Sequence, residues 1–191
     1  MSGSYLTNPL VFLIQTLFGL YIAVVMIRFL LQWARADFYN PLSQFIVKVT
    51  SPVLRPLRQV IPSLAGMDTA SIVLAWLLKT AELALLAALL GFSAFPIGAL
   101  LWSVPALVEL IINIFLFAVF IRVILSWVNP GTYNPGVALL SRLTDPIMRP
   151  AQRALPPISG IDLSPMLVMI GLVLLQMLLV PPLKWLTGSP F

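Results

Sequence analysis

Residues 28–68 read RFLLQWARADFYNPLSQFIVKVTSPVLRPLRQVIPSLAGMD, and residues 122–162 read RVILSWVNPGTYNPGVALLSRLTDPIMRPAQRALPPISGID. Laid over each other at an offset of 94 residues and without a gap, 13 of these 41 positions are identical. Two apolar segments share leucines by chance. They do not share a register in which Arg28 meets Arg122, Trp33 meets Trp127, Tyr39-Asn40-Pro41 meets Tyr133-Asn134-Pro135, and Pro52 meets Pro146. Arg55-Pro56 likewise meets Arg149-Pro150, and Pro62, Gly66 and Asp68 meet Pro156, Gly160 and Asp162. The chain is a duplication, with one unit over residues 1–94 and a second over 95–191.

The segments flanking these stretches are apolar. Hydrophobic residues make up 60% of the chain and charged residues 9%, with a mean hydropathy of +1.04. A water-soluble domain carries about 25% charged residues because its surface faces water. So few charges cannot cover such a surface, whereas a bilayer solvates apolar side chains directly. Crossing it takes about 20 residues of helix. Four segments are long enough, at about Leu10–Trp33, Thr69–Gly91, Val104–Val128 and Pro165–Leu186. The intervening Phe92–Ser103, with Pro96 and Gly98, reads as a turn with Trp102 at the interface. Residues 1–8 carry no Lys or Arg, and the first apolar run continues to Trp33, so it is expected to be a retained span rather than a signal peptide.

The reading is therefore an all-α membrane protein. Its four transmembrane helices form two parallel two-helix repeats, each with an amphipathic helical connector, related by a pseudo-twofold axis along the membrane normal. Basic residues set the orientation. The first connector holds Arg35, Lys48, Arg55 and Arg58, and the second holds Arg142, Arg149 and Arg153. The loop between spans two and three and the N-terminal tail hold none, and Lys184 is the lone exception near the C-terminus. The positive-inside rule places both connectors in the cytoplasm and both termini outside it.

Each connector shows helix signals. Asn40 is a cap and Pro41 a first-turn proline, as are Asn134 and Pro135 in the second unit. Leu42, Phe45, Ile46 and Val49 follow at helical spacing on one face. A second short helix is expected to start at Thr50-Ser51-Pro52, and its counterpart at Asp145-Pro146. The basic residues of the surface, Lys48, Arg55, Arg58, Arg142, Arg149 and Arg153, have two readings. They bind anionic lipid, or they only fix topology. Asp68 and Asp162 fit as caps at the start of the following spans.

Arg28 and Arg122 lie about five residues inside spans one and three, only about 7–8 Å deep at 1.5 Å per residue. They are read as a repeated clamp that snorkels or binds a carbonyl of the connector. Deeper sit Gln15, Lys79, Glu82, Glu109 and Gln176, with Gln15 matching Glu109 and Glu82 matching Gln176 across the repeat. Lys79 and Glu82, spaced i, i+3, can pair. Such a set is either a polar seam holding four helices together or an ion or proton pathway lined by Glu82, Glu109 and Lys79.

Cysteine and histidine are absent, which excludes disulfides, thiol catalysis and a Ser-His triad. There is no P-loop, G-x-S-x-G or HExxH stretch. No catalytic residue, cofactor or metal is expected. The net charge of +5 comes from basic residues that flank spans, so nucleic acid is not expected either. The expected partners are the lipid bilayer, anionic lipid at the connectors, a membrane-protein partner or further copies of the chain.

Gln32-Trp33-Ala34, Asp37-Phe38-Tyr39-Asn40-Pro41, Thr50-Ser51-Pro52, Arg55-Pro56-Leu57-Arg58 and Ile61-Pro62 together resemble the YggT family in its two-unit bacterial form. The second unit departs where Asn129-Pro130-Gly131 replaces the Ala34–Asp37 stretch and Gln152 replaces Arg58. The resemblance implies an inner-membrane protein linked to osmotic-shock tolerance and ion uptake. Plastid relatives are linked to cytochrome maturation and nucleoid organisation, and Gram-positive ones lie near cell-division genes. The family has no agreed catalytic residues. The leading expectation is a non-catalytic factor in envelope or osmotic homeostasis that organises lipids or partner proteins. The alternatives are a small channel or transporter component and an assembly factor for another membrane complex.

Overall fold

The computed structural model describes residues 3–63, 66–92, 97–128, 134–155 and 162–191. They form six helices: α1 (Gly3–Trp33), α2 (Pro41–Val60), α3 (Thr69–Leu90), α4 (Ile97–Val128), α5 (Pro135–Ala154) and α6 (Ser164–Thr187). Among the described residues there is no strand. Helices α1, α3, α4 and α6 are long and apolar enough to cross a bilayer. The shorter α2 and α5 are the connectors.

Two spans are longer than the sequence implied. Helix α1 begins at Gly3 and not near Leu10, and α4 begins at Ile97 and not near Val104. The segment from Ile97 to Ser103 is helical, and Gly98 serves packing there rather than a turn. A Cβ built on Gly98 would lie 2.6 Å from the indole of Trp102. Trp102 is correspondingly buried, and its Nε1 donates to Thr187 O, at the end of α6, at 3.1 Å. The loop signals at Pro96, Tyr133, Pro156 and Gly160 fall outside the described residues.

Each connector is one continuous helix, not the expected pair of short ones. Asn40 and Asn134 cap them as expected, accepting from Leu42 N at 2.9 Å and Gly136 N at 2.8 Å, with Pro41 and Pro135 in the first turn. Pro52 and Pro56, and Pro146 and Pro150, then sit inside the helices. A proline removes the bond to the carbonyl four residues back. Here all four prolines lie on the exposed side of their helices. Thr50 and Ser51 hydroxyls donate back to Ile46 O and Val47 O on the preceding turn.

The apolar face expected on α2 also divides. Ile46 is half-buried against the bundle with Leu54 and Leu57, while Leu42, Phe45, Val49 and Val53 are exposed. Gln44, Lys48, Ser51, Arg55 and Arg58 form a third, polar side. Helix α2 thus has a packed face, a bare apolar face and a basic face.

Neighbouring spans run α1, α3, α4, α6: α1 packs on α3, α3 on α4, and α4 on α6, with a smaller contact between α1 and α4. The main core joins Ile22, Val25, Met26 and Leu30 of α1 to Leu74 of α3, Phe115 of α4, Leu54 of α2 and Leu139 and Leu143 of α5. Helices α2 and α5 touch each other, so both connectors lie on one side of the bundle and the units run parallel. The expected twofold is not reciprocal, however. Helix α3 packs on α4, but the equivalent pair, α6 and α1, does not meet among the described residues. Asn40 Nδ2 donates to Pro135 O at 2.6 Å, whereas Asn134 makes no matching bond to Pro41.

This difference is measurable. Losing an N-cap side chain costs about 1 kcal/mol, and Asn40 carries a cross-unit bond besides its cap. Asn40→Ala should therefore lower the thermal midpoint in detergent more than Asn134→Ala does. Equal shifts would mean the cross-unit bond contributes nothing.

Candidate functional site: a basic groove and a charge-paired cavity

Near its C-terminal end, α1 carries Arg28, which is buried. Its guanidinium donates to Val47 O at 3.3 Å, to Thr50 Oγ1, and to Ser51 Oγ at 3.3 Å, all on α2. Its Nε lies 3.8 Å from Asp68 Oδ2 at the start of α3. The expected clamp is therefore present, and it joins three helices. Asp68 stands at the N-cap position of α3 but makes no side-chain cap bond, contrary to the expected role. Its carboxylate is taken up by Arg58, through Nη2 and through Nε at 3.3 Å, and by Ser71 Oγ at 2.6 Å. Burial alone would raise the Asp68 pKa. The hydrogen bonds from Arg58 and Ser71, with the charges of Arg58 and Arg28, outweigh it and hold the carboxyl below its usual value. Gln32 Nε2 donates to Gly66 O at 3.0 Å, where a φ of +77° turns the chain into α3.

Above this floor opens a groove of about 810 Å³ lined by Gln32, Phe38, Gln44, Lys48, Ser51, Arg55 and Arg58. The four cations Arg28, Lys48, Arg55 and Arg58 face the single carboxylate of Asp68. Arg28 and Arg58 are engaged with Asp68, while Lys48 and Arg55 are exposed and have no acidic partner among the described residues. Lys48, Ser51 and Arg55 lie at i, i+3 and i+7 on one side of α2, so their polar ends converge on one ligand-sized space.

The second unit builds the same clamp with a different charge. Arg122 donates to Ser141 O at 3.4 Å, Thr144 Oγ1 at 2.7 Å and Asp145 Oδ1 at 3.0 Å, at the same sequence separations as Arg28. Asp145 stands where the first unit has Ser51. It pairs with both Arg122 and Arg149, the latter at 3.1 Å. Gln152, in place of Arg58, donates to Asp162 at 3.1 Å, and Asp162 Oδ1 accepts from Ser164 N at 2.9 Å. Burial acts to raise the Asp162 pKa, but its bonds with Ser164 and Gln152 and the charge of Arg122 bring the net shift downward. Matching positions hold four cations and one carboxylate in the first unit, but three and two in the second. In the second site Asp145 pairs with Arg122 and Arg149 from within. Arg142 and Arg153 are exposed and remain free of acidic partners among the described residues.

At the opposite ends of the spans lies a cavity of about 270 Å³. Gln15, Lys79, Glu82, Glu109 and Asn113 line it with Trp102, Lys184 and the terminal Phe191. Lys79 Nζ meets both oxygens of Glu82 at 2.9 Å, as the i, i+3 spacing implied. Lys184 Nζ meets Glu109 Oε2 at 2.9 Å. The structure thus brings together Gln15, Lys79, Glu82 and Glu109, while Gln176 lines an adjoining hollow with Glu109 and Lys184. Sequence reasoning missed Lys184 and Asn113. Lys184 had looked like a topological exception, and only the packing of α6 on α4 makes it the partner of Glu109. Phe191 lines this cavity, its ring 5.8 Å from Trp102 and 5.5 Å from Phe92.

Each carboxylate in the cavity has its own ammonium. An unpaired intramembrane charge is costly, and removing one partner of a buried pair costs about 3–5 kcal/mol. Lys79→Met should cost about 3 kcal/mol in a thermal or denaturant melt, because Glu82 is buried. The double variant Lys79→Met/Glu82→Gln should recover most of it. Equal stability of the single and double variants would show that the pair is not what holds the seam.

Against known proteins, the family model described as CCB3/YggT matches twice, over residues 7–89 and 101–183. Both of its bounds shift by the same 94 residues as the internal repeat. An uncharacterized protein of Pseudomonas aeruginosa is 44% identical over 187 residues, covering 97% of this chain and 95% of that one. The uncharacterized protein YggT of Escherichia coli K12 is 39% identical over 172 residues, 89% of this chain and 88% of that one. The uncharacterized protein ycf19 of Guillardia theta is 41% identical over 66 residues, 34% of this chain and 69% of its own length. No solved structure matches. With a doubled match that follows its own repeat, and relatives similar from end to end, the chain belongs to the CCB3/YggT family.

Proposed function

We propose that this protein is a non-catalytic component of the bacterial inner membrane that holds anionic phospholipid headgroups in its first-unit groove. It thereby organises the bilayer, or proteins within it, under osmotic or envelope stress. The observation that carries this reading is the pair Lys48 and Arg55, exposed and unneutralised around the Ser51 hydroxyl. They sit near where α1 ends and α3 begins, the level at which this reading sets the lipid headgroups. A phosphodiester supplies one negative charge and oxygen acceptors for both cations. The basic connectors face the cytoplasm in this reading, with both termini periplasmic.

The second unit supplies the contrast. Asp145 already occupies the place of the anion between Arg122 and Arg149. One strong headgroup site per chain is expected, not two. The cavity around Glu82 and Glu109 is read as a structural seam, because both carboxylates are matched by lysines.

The test is lipid retention by the purified protein in mixed phosphatidylglycerol and phosphatidylcholine, followed by native mass spectrometry. Each basic residue near an anionic surface contributes about 1 kcal/mol, or about fivefold in affinity. Wild type should retain phosphatidylglycerol selectively. Lys48→Gln/Arg55→Gln should lose about 25-fold in affinity, and Ser51→Asp should mimic the second unit and lose selectivity. Phosphatidylglycerol retention unchanged in both variants would contradict the proposal, as would displacement of the lipid by inorganic phosphate at matched charge.

A further inference from the structure

The contact between the two units is one-sided, and it leaves matching surfaces bare. Between the units, Trp76 Nε1 of α3 donates to Leu100 O of α4 at 3.3 Å, and Thr80 Oγ1 donates to Ser103 Oγ at 3.2 Å. Leu83 and Leu86 pack on Trp102 beside them. Shifted by the repeat, Trp76, Thr80, Leu83 and Leu86 become Ile170, Leu174, Met177 and Val180 on α6, while Leu100, Ser103 and Ala106, which packs in the same cluster, become Leu6, Pro9 and Phe12 on α1. Val180 is buried, but the other six are exposed, with Leu174 at 52%, Met177 at 65%, Leu6 at 65% and Phe12 at 66%.

The connectors repeat this asymmetry independently. On α5, Leu139 and Leu143 are buried in the core shared with α1, at 8% and 5% exposed. Their counterparts on α2, Phe45 and Val49, are 62% and 36% exposed. The bond from Asn40 to Pro135 has no mate from Asn134 to Pro41. An isologous pairing would satisfy both members of every such pair. A one-sided interface between equivalent units instead leaves one free donor face and one free acceptor face, and copies can add until a ring closes.

We propose that copies of this chain associate by repeating their own inter-unit contact, the outer face of α6 in one copy packing on the outer face of α1 in the next. The same step lays the second unit of the first copy over Phe45 and Val49 of the next copy's α2. Asn134 then donates to Pro41 of the second copy. In a bilayer such contacts are stabilised by packing and hydrogen bonds rather than by exclusion of water.

The absence of cysteine makes the test direct. Two differently tagged forms, one Leu174→Cys and one Pro9→Cys, are co-expressed and oxidised in membranes. These positions are the repeat equivalents of the touching pair Thr80 and Ser103. The expected product is a disulfide-linked dimer carrying both tags. Leu175→Cys with Pro9→Cys is the control, since Leu175 is also exposed but lies about 100° round the helix from Leu174. Thr80→Cys/Ser103→Cys in one chain should close internally and verifies the register. The proposal fails if that internal disulfide forms while the mixed dimer stays at the Leu175→Cys level, for then these faces meet acyl chains. It fails equally if Leu174→Cys links only to itself, which would signal a twofold interface.

Discussion

Arg28 is the point on which the first unit depends. A guanidinium placed inside the end of an apolar span has to be satisfied locally, because hydrocarbon cannot solvate it. Its donors reach Val47, Thr50 and Ser51 on α2, and its charge faces Asp68 at the start of α3. That one side chain therefore sets the height and rotation of the connector against the span. Rotation in turn decides which residues of α2 face the bundle, which lie bare, and which form the groove. Arg122 repeats the constraint at equal separations, and α5 takes the same length and the same proline positions as α2.

Once the scaffold is fixed this way, the chemistry of the two units is free to diverge. The first keeps Ser51 and Arg58 around the clamp, so a basic groove stays open. The second substitutes Asp145 and Gln152, and the clamp arginine is neutralised from within. Duplication has thus left the first unit with more unmatched positive charge than the second. In the cavity further along the spans the opposite rule holds, since both intramembrane carboxylates are matched by lysines.

Much of this was legible in the chain. Apolar length marks the four spans, and the register of Arg, Trp, Asn and Pro marks the duplication. The depth of Arg28 and Arg122 marks the clamp. Local signals were less reliable where tertiary context outweighs them. Pro52 and Pro146 suggested a helix boundary, yet both connectors continue through these prolines, which lie on the exposed side. Asp68 looked like a cap and is an ion-pair partner, since Arg58 comes close only after α2 folds back over α3. Lys184 and Asn113 carry no local sign of their roles, which arise from the packing of α6 and α4. Gly98 looked like a turn residue because the demand on it comes from the indole of Trp102, a turn away.

Hydrogen–deuterium exchange over α2 and α5, in wild type and Arg28→Gln, tests the clamp most directly. Hydrogen bonds to charged groups contribute about 1.5–3 kcal/mol, so the amides of α2 should exchange about tenfold or more faster without Arg28 while those of α5 keep their protection. Unchanged protection of α2 would mean that the connector is held by its apolar packing alone and that the arginine does not set its position.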